Sequence, residues 1–316
     1  MKRIISVSRR TDIPAFYGDW FMSCIGQGFA GVVNPYGGKK YIVSVKPEDV
    51  TCFVFWSKNF TPFLDNLKIL DELGYKFYFN YTVTGLPGIF ETNFDRQSAV
   101  DSLKYLSETY SPSHINWRFD PIVLSSICDR DYFLEEFNKL AYEFGGMVER
   151  CYISFVTEYN KVMRNFEEFE KTTGVKVEFP EEEFKIKLAN ELSEIASGYR
   201  IQIYSCCCDY LINDKVKKAH CIDGSVIEKL FFPDGFVYKE KHTRQQCGCT
   251  ESYDIGTYNT CPHGCVYCYA NTNKGRADKT YREHDKNSAF LGYSKSKSDI
   301  WLAEMSELDS ENLYSK

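Results

Sequence analysis

The chain has 316 residues, of which 43% are hydrophobic and 26% are charged, and its formal net charge is -6. This composition is typical of a folded globular protein and excludes a disordered one. The acidic balance argues against a protein that coats nucleic acid, although it leaves room for a local basic groove. No apolar run reaches the roughly 20 residues of a membrane span and no signal peptide is recognisable, so we expect a cytoplasmic protein without a membrane partner.

The first 205 residues alternate β-like runs with amphipathic helical stretches. Most of the β-like runs are continuously apolar, as expected for strands that are buried on both faces of a parallel sheet. The predicted strands are residues 4–8, 30–34, 52–56, 76–83, 114–119, 151–156 and 201–205. Helical spacing and helix-boundary residues predict helices at about residues 61–73, 100–106, 129–144, 162–173 and 181–198.

Repeated βα units require right-handed crossovers and a parallel sheet. The expected fold is α/β: a TIM-like (β/α) barrel of about seven to eight parallel strands, with a C-terminal cysteine-rich metal-binding segment. A doubly wound sheet is the alternative. We expect a barrel domain at residues 1–205, a cysteine-rich iron–sulfur segment at 206–273 and a polar tail with a short docking helix at 274–316. The G-x-G-x-x-G pattern at residues 26–31 follows a helix and precedes a strand, which predicts a turn and not a dinucleotide site.

Cysteine usage divides the chain into two regions. Cys24, Cys52, Cys128 and Cys151 are scattered through apolar segments, where we expect them to be small buried hydrophobic residues. The other nine of the 13 cysteines all fall within residues 206–268. In a reducing compartment, clustered cysteines indicate metal ligands or redox groups and not a disulfide framework.

The strongest motif is the spacing C-x3-C-x2-C formed by Cys261, Cys265 and Cys268. Three thiolates on one loop bind three irons of a [4Fe–4S] cluster and leave the fourth iron without a protein ligand. Gly264 lets the loop turn tightly between the first two cysteines. An open iron is typical of enzymes that bind S-adenosylmethionine (SAM) at the cluster, whose motif also has an aromatic residue where Tyr267 stands. A zinc site is the alternative.

The remaining cysteines predict a second metal site. Cys247 and Cys249 supply two ligands from one turn, Cys221 supplies a third, and one of the three cysteines at 206–208 supplies a fourth. Four thiolates would saturate a [4Fe–4S] cluster or a Zn²⁺ ion, so this site would be auxiliary or structural. Two alternatives stay open: these cysteines end a buried strand and form a loose turn, or Cys249 or His263 completes a zinc site on the first loop.

Polar residues follow several of the predicted strands, where a barrel carries its chemistry. Guanidinium groups bind carboxylates or phosphates bidentately, and aspartates orient them or bind ribose hydroxyls. For any single residue an ion pair at the barrel rim is an equal alternative. Together they predict a polar, anionic small molecule in the barrel mouth, with SAM one candidate. The predicted cofactor-binding residues are Arg9, Arg10, Asp12, Lys58, Asn59, Arg118 and Asp120.

Several stretches resemble a known family, domain of unknown function 1848, over nearly the whole chain. They are residues 8–14 (SRRTDIP), 54–59 (VFWSKN), 117–121 (WRFDP), 221–223 (CID), 247–249 (CGC), 254–256 (DIG) and 261–271 (CPHGCVYCYAN). The family's cysteine cluster is similar to the one near the N-terminus of radical SAM proteins, so the resemblance implies a cluster and leaves the reaction open. It also implies that Cys207 is the fourth auxiliary ligand. In radical SAM proteins the cluster loop follows the first strand, whereas here it follows the last. The thiamine-pyrimidine synthase, a barrel enzyme with a C-terminal three-cysteine cluster, resembles this layout, and the analogy is one of fold alone.

The leading hypothesis is a radical SAM-like enzyme that would cleave SAM at a [4Fe–4S] cluster and act on an unknown polar or anionic substrate, with ferredoxin or flavodoxin as electron donor. The second cysteine set would hold an auxiliary cluster or zinc. The alternative is a zinc- or cluster-stabilised barrel that binds a nucleotide or other anion without radical chemistry. A third hypothesis, nucleic-acid processing, is weaker because basic strips are usually solvated faces. It rests on Lys274, Arg276, Lys279 and Arg282 beside Tyr269 and Tyr281.

Overall fold

The computed structural model of the chain describes residues 2–241, 244 and 246–314. Its strands are β1 (Arg3–Val7), β2 (Phe29–Val33), β3 (Lys40–Ser44), β4 (Val50–Ser57), β5 (Phe77–Thr82), β6 (Ile115–Ile122), β7 (Arg150–Phe155), β8 (Gln202–Ser205), β9 (Val216–Lys218) and β10 (Tyr253–Asp254). Its α-helices are α1 (Ile13–Phe16), α2 (Gly18–Gln27), α3 (Leu64–Glu72), α4 (Arg96–Thr109), α5 (Arg130–Phe144), α6 (Asn160–Thr173), α7 (Glu182–Gly198), α8 (Gly224–Phe231), α9 (Lys274–Glu283) and α10 (Lys295–Tyr314).

Eight strands form one sheet in the order β10-β1-β4-β5-β6-β7-β8-β9, and every neighbouring pair in it is parallel. The order follows the chain except for β10, which adds to the free side of β1. This confirms the predicted α/β class and its parallel sheet. Among the described residues no ladder joins the two edge strands β9 and β10, so closure into a barrel stays a prediction.

The predicted strand at residues 30–34 was expected in the parallel sheet, and that expectation is wrong. β2 pairs antiparallel with β3 in a separate two-stranded ribbon, with Ala30 opposite Val43. The connection contains Gly37 and Gly38, both in the left-handed region with φ of 126° and 72°. Two such glycines reverse the chain within a few residues, whereas a parallel crossover needs a dozen residues or more.

The two faces of the sheet are covered by different parts of the chain. Side chains alternate between the faces, so Phe53 and Phe55 point one way while Cys52 and Val54 point the other. The first set packs with buried residues of helices α2 to α7 in the main hydrophobic core. The second set packs with α8 and with the cysteines of the segment that follows β9. Helices α2 to α7 therefore lie on one face, and α8 lies on the other together with Cys221, Cys247 and Cys249.

The helices predicted from periodicity are confirmed, because each has a buried stripe and recognisable ends. In α5 the carboxylate of Asp129 accepts a hydrogen bond from the Tyr132 amide, and Phe133 and Phe137 are buried on one side. α6 ends at Gly174 in the left-handed conformation. β9, α8 and β10 were not predicted, since the segment after residue 205 shows little periodicity.

The C-terminal residues form two helices where one short docking helix was expected. Between α9 and α10, Phe290 packs on Gly31 of β2, where a Cβ atom would clash with its ring. The indole N–H of Trp20 donates to the carbonyl of Ser288 at 2.8 Å. These contacts fasten the tail to α2 and to the β2–β3 ribbon. Within the described residues, no helix combines the length and the apolarity needed to cross a bilayer.

Candidate functional site

A cavity of about 240 Å³, here called the mouth cavity, lies at the carboxyl ends of the parallel strands. Its lining includes Arg9, Arg10, Asp12, Lys58, Arg118 and Asp120, which are six of the seven predicted cofactor-binding residues. It also includes the seven predicted metal ligands, Cys207, Cys221, Cys247, Cys249, Cys261, Cys265 and Cys268. Asn59 is not part of the lining; its side chain accepts from the Thr61 amide at 2.9 Å and caps the following turn. The structure thus brings together residues that are up to 259 positions apart, from Arg9 to Cys268.

The three-cysteine loop, residues 261–268, is fastened to the strand ends through His263. His263 Nε2 lies 2.7 Å from Asp12 Oδ2, and His263 Nδ1 lies 3.1 Å from the carbonyl oxygen of Asn93. Asp12 also accepts the backbone N–H of Lys58 at 2.8 Å and that of Ala15 at 3.0 Å. One carboxylate therefore ties the end of β1, the end of β4 and the loop together. Both ring nitrogens of His263 face these oxygens, so as placed it is an anchor of the loop.

Amide side chains hold the backbone of the same loop. Asn93 donates to the Pro262 carbonyl at 2.7 Å, and Asn271 donates to the Cys261 carbonyl at 2.6 Å. The Ala270 amide donates to the sulfur of Cys268 at 3.3 Å. With Gly264 in the left-handed region at φ 69°, these bonds fix the turn that the cysteine spacing requires. Neither Asn93 nor Asp12 was predicted to act on the loop, because each is remote from it in sequence.

A buried cation stands beside the middle cysteine of the loop. Lys58 Nζ donates to Glu91 at 2.6 Å, and Glu91 also accepts from Thr84 at 2.8 Å and from the hydroxyl of Tyr267. Burial opposes the charge of Lys58, but Glu91 and the Cys265 thiol raise its pKa. Burial raises the pKa of Cys265 to about 12, while Lys58 acts to lower it. Lys58 therefore offers positive charge to Cys265 if that cysteine is deprotonated by binding a metal.

Five further cysteines of the cavity lining contact one another directly and are here called the cysteine array: Cys206, Cys207, Cys221, Cys247 and Cys249. The sulfur of Cys206 lies 3.0 Å from that of Cys221 and 4.0 Å from that of Cys207. Cys249 interacts with both Cys221 and Cys247, and Cys247 also interacts with Cys207. Tetrahedral coordination at a Zn–S distance of about 2.3 Å places sulfurs about 3.8 Å apart; the Cys206–Cys207 distance is close to this value and the Cys206–Cys221 distance is shorter. In the three-cysteine loop, burial raises the pKa of Cys261, and the charges of Asp12, Cys268 and Cys265 add to that effect.

The backbone at Cys207 explains how two consecutive cysteines reach the array. Consecutive residues of a strand point to opposite faces, but Cys207 leaves the strand conformation with φ of 57°. Cys206 and Cys207 consequently both line the mouth cavity. Cys208 packs instead in the main core, and its carbonyl accepts from Ser205 at 2.8 Å. The sequence left the choice among Cys206, Cys207 and Cys208 open, and the family resemblance implied Cys207; the structure brings Cys206 to the cavity as well.

Arg118 pairs with the array on the cavity side. Its guanidinium donates to the sulfur of Cys221 at 3.0 Å and also pairs with Asp120, which accepts from Ser154. Burial opposes the charge of Arg118, yet the thiols of Cys221 and Cys206 raise its pKa. Hydrogen bonds from Cys206 and Cys249, joined by the charge of Arg118, hold the pKa of Cys221 well below its usual range despite burial. These contacts therefore favour negative charge at Cys221.

A row of buried polar side chains holds Cys221 from the sheet side. Asn80 donates to the Cys221 carbonyl at 3.0 Å, and Tyr78 donates to the same oxygen at 3.3 Å. Asn116 donates to the Asn80 side-chain oxygen at 3.2 Å and accepts from Arg150 at 2.8 Å. The row crosses β5, β6 and β7 on the face that packs against α8. Asparagines inside apolar strands were the available signal, since buried amides need partners.

Asp254 joins β10 to the end of β1. It accepts from Ser6 at 2.8 Å, from Ser8 at 2.7 Å and from the Arg9 amide at 2.8 Å. The side chains of Arg9 and Arg10 lie 3.6 and 3.8 Å from its oxygens. Burial alone would raise the pKa of Asp254, but Arg10 and Arg9 lower it. Arg9 and Arg10 thus line the cavity and also pair with the buried carboxylate of Asp254.

The donor atoms around the cavity fit an iron–sulfur cluster or zinc. Eight cysteine sulfurs belong to one cavity lining, and thiolates are the ligands that both groups prefer. Lys58 and Arg118 place positive charge beside Cys265 and Cys221, as anionic metal–thiolate groups require. As the side chains are placed, no three or more His, Cys, Asp or Glu residues in the described part of the chain are arranged around a single metal ion.

Comparison with known proteins gives one match. The model of a family described as domain of unknown function (DUF1848) matches residues 4–270. The matched range contains both cysteine groups and most of the parallel sheet, and it ends before α9. No curated protein and no solved structure matches the chain.

Proposed function

The chain belongs to the DUF1848 family, whose description names no activity, and from its site we propose an iron–sulfur enzyme of the radical SAM type. The observation that carries the proposal is that Cys261, Cys265 and Cys268 belong to a cavity wall shared with arginines and aspartates. When bound there, a [4Fe–4S] cluster with one open iron would supply a coordination position for SAM and the electron that cleaves it. The substrate would be a polar or anionic small molecule held in the same cavity.

The chain's own residues would support the loop in this role. The three thiolates would hold the cluster, and Lys58 would offset the negative charge at Cys265. Asp12 and His263 would keep the loop against the strand ends, so that the cysteines need little rearrangement on binding. Preorganisation of this kind lowers the cost of ordering ligands around a metal.

Basic side chains on the opposite side of the cavity would bind the carboxylate of SAM or an anionic substrate. Arg9 is held by Tyr269, whose hydroxyl donates to the Arg9 carbonyl at 2.7 Å. Arg244 lies over the ring of Tyr269, 5.0 Å from its centre. Arg118 lies over the ring of Trp56 at 4.9 Å. An aromatic face holds a guanidinium group in place without neutralising it; Arg118 also keeps its contacts with Cys221 and Asp120.

We further propose that the sheet is a barrel whose two edges are bridged by the cysteine-rich segment. The sequential strand order supports closure, as does the placement of α2 to α7 on one face. A doubly wound sheet would reverse its order and carry helices on both faces. The cysteine array would then be an auxiliary site that links the ends of β8 and β9 to the strand β10.

The test is anaerobic purification with iron, sulfide and zinc quantification, followed by electron paramagnetic resonance of the reduced protein with and without SAM. We expect iron and sulfide near four per chain for the loop alone, or near eight if the array also holds a cluster. SAM should change the signal of one reduced cluster. Stoichiometric iron whose signal ignores SAM would contradict the proposal.

One observation favours a second candidate function, a metal-stabilised barrel that binds an anion without radical chemistry. Thiols from three chain segments meet in the array, and four thiolates are a usual ligand set of a structural zinc ion. A colourless, air-stable protein with zinc in place of iron would support this candidate. Zinc at the array together with iron at the loop would fit the first proposal.

A further inference from the structure

A second cavity of about 330 Å³, here called the side cavity, adjoins the mouth cavity. Arg10 and Ala270 line both cavities. We propose that the side cavity binds the phosphate group of a small molecule whose remainder extends into the mouth cavity. This names a substrate class for the proposed enzyme and rests on that function for the reaction, although phosphate binding itself can be measured without it.

The charges of the side cavity carry the inference. Its cationic lining residues are Arg10, Lys161 and Arg276, and its lining contains no aspartate or glutamate. Lys161 and Arg276 form no salt bridge with any residue that the structure describes, whereas Arg10 lies 3.8 Å from Asp254. Three cations with one carboxylate among their ion-pair partners repel one another, and a bound anion reduces that cost.

One aromatic ring holds two of the three cations at the wall. The guanidinium of Arg10 lies 5.5 Å from the ring centre of Tyr258, and Lys161 Nζ lies 5.3 Å from the same centre. Contacts with an aromatic face position a cation without using its N–H donors on a carboxylate. The donors of Arg10 are partly used, since one N–H contacts the Gly256 carbonyl at 3.2 Å.

The third cation comes from the first turn of α9. Arg276 and Thr272 both line the side cavity, and α9 begins between them at Lys274. The amide groups of a first helical turn point toward the N-terminus and favour an anion there. α9 therefore adds the side chain of Arg276 to a cavity that already contains Arg10 and Lys161, while the Arg276 amide donates to the N-cap Asn273 at 2.9 Å. A phosphate, with about two negative charges near neutral pH, matches this excess better than one carboxylate does.

The side cavity lies next to the three-cysteine loop. Ala270, which is shared by the two cavities, follows Cys268 by two residues, and its amide donates to the Cys268 sulfur. Lys161 is close enough for its charge to act on the Cys268 thiol. A phosphate bound in the side cavity would thus place the adjoining part of its molecule beside the three-cysteine loop.

The experiment is isothermal titration of the full-length, metal-loaded protein under anaerobic conditions with inorganic phosphate, pyrophosphate and acetate. We expect saturable binding of phosphate, tighter binding of pyrophosphate and at least tenfold weaker binding of acetate. Arg276→Gln and Lys161→Met should each weaken phosphate binding at least fivefold. The matched control is Arg282→Gln, because Arg282 is an exposed arginine of the same helix outside the cavity, and it should change affinity less than twofold.

The inference is overturned if folded, iron-containing protein binds no phosphate, if acetate binds as well as phosphate, or if Arg282→Gln weakens binding as much as Arg276→Gln. A salt-dependent oligonucleotide affinity that both arginine substitutions reduce would assign these residues to a nucleic-acid surface instead. Phosphate binding lost only in the cavity variants, with a cluster indifferent to SAM, would support the side cavity and contradict the radical chemistry. The two proposals can therefore fail separately.

Discussion

The three-cysteine loop and the cysteine array line the same cavity but are built in different ways. The loop takes its cysteines from eight consecutive residues, and side chains from distant elements hold its backbone while its thiols stay apart. The array takes its cysteines from three separate segments, and its thiols contact one another and Arg118. A preformed loop with separated thiols suits a cluster that reacts, whereas an array of touching thiols suits a site that fastens chain segments together.

Because of this difference, we expect the loss of array cysteines and the loss of loop cysteines to change the free energy of unfolding by different amounts. The array joins the end of β8, the segment after β9 and the segment before β10, so its loss should weaken the fold. The loop is already held by Asp12, Asn93 and Asn271, so its loss should remove a ligand set and leave the fold in place. The predictions below test that separation, from the largest expected change in the free energy of unfolding to the smallest.

We expect Cys221→Ala to have the largest effect, a loss of about 4 kcal/mol or more in the free energy of unfolding. The substitution removes an array ligand and leaves the buried charge of Arg118 with Asp120 alone, and breaking a buried pair costs about 3–5 kcal/mol. Anaerobic denaturant unfolding of the protein as purified measures the change. Cys24→Ala, at a buried cysteine outside both groups, should cost about 1 kcal/mol. Equal losses in the two variants would show that the array does not brace the fold.

Asp254→Asn should cost about 3 kcal/mol near neutral pH, because it leaves Arg9 and Arg10 without their buried carboxylate. The pKa of Asp254 is lowered in the folded protein, so its contribution is complete above the unfolded value of about 3.9. The contribution is lost as pH falls through the lower folded pKa. Unfolding of wild type and variant from pH 7 to pH 3 should show a constant difference above about pH 5 that shrinks in acid. A difference that grows in acid would contradict this account of β10.

Gly264→Ala should cost about 1–2 kcal/mol and also disturb the cluster. Alanine is strained at φ of 69°, and its Cβ would clash with the Thr92 hydroxyl. Gly146→Ala is the matched control, since Gly146 has φ of 80° with open space around it and lies outside the site. In both variants the left-handed conformation should lower the free energy of unfolding by about 1 kcal/mol, and only Gly264→Ala should lower the iron content. Normal iron in Gly264→Ala would show that the turn at residue 264 is not needed for binding.

Cys265→Ala should have the smallest effect on stability, within about 1 kcal/mol when metal-free proteins are compared. Cys265 is only partly buried and contributes no hydrogen bond that holds the loop to the strand ends. Thermal and denaturant unfolding of the chelator-treated wild type and variant measure this difference in the free energy of unfolding. A loss comparable to that of Cys221→Ala would remove the distinction between the two cysteine groups.

Local patterns in the sequence predicted most of the sheet and the crossover helices, because apolar runs and helical stripes mark residues that must be buried. The same patterns failed at residues 30–34, where two glycines turn the chain into a ribbon, and after residue 205, where short elements lack periodicity. Of the residues predicted from cysteine spacing and strand-end polarity, all seven cysteines and six of the seven polar residues line the mouth cavity. The anchors were missed because contacts such as His263–Asp12 join positions 251 residues apart. Long-range partners of this kind depend on the folded arrangement and leave no local pattern.

The most direct test of two separate metal sites is the iron, sulfide and zinc content of Cys265→Ala and Cys249→Ala, purified anaerobically beside the wild type, with electron paramagnetic resonance before and after SAM is added. We expect Cys265→Ala to lose the SAM-sensitive signal and to keep the metal of the array. Cys249→Ala should lose or weaken the array metal and keep a cluster that responds to SAM. Loss of all metal in both variants, or a SAM response that survives in Cys265→Ala, would contradict the account.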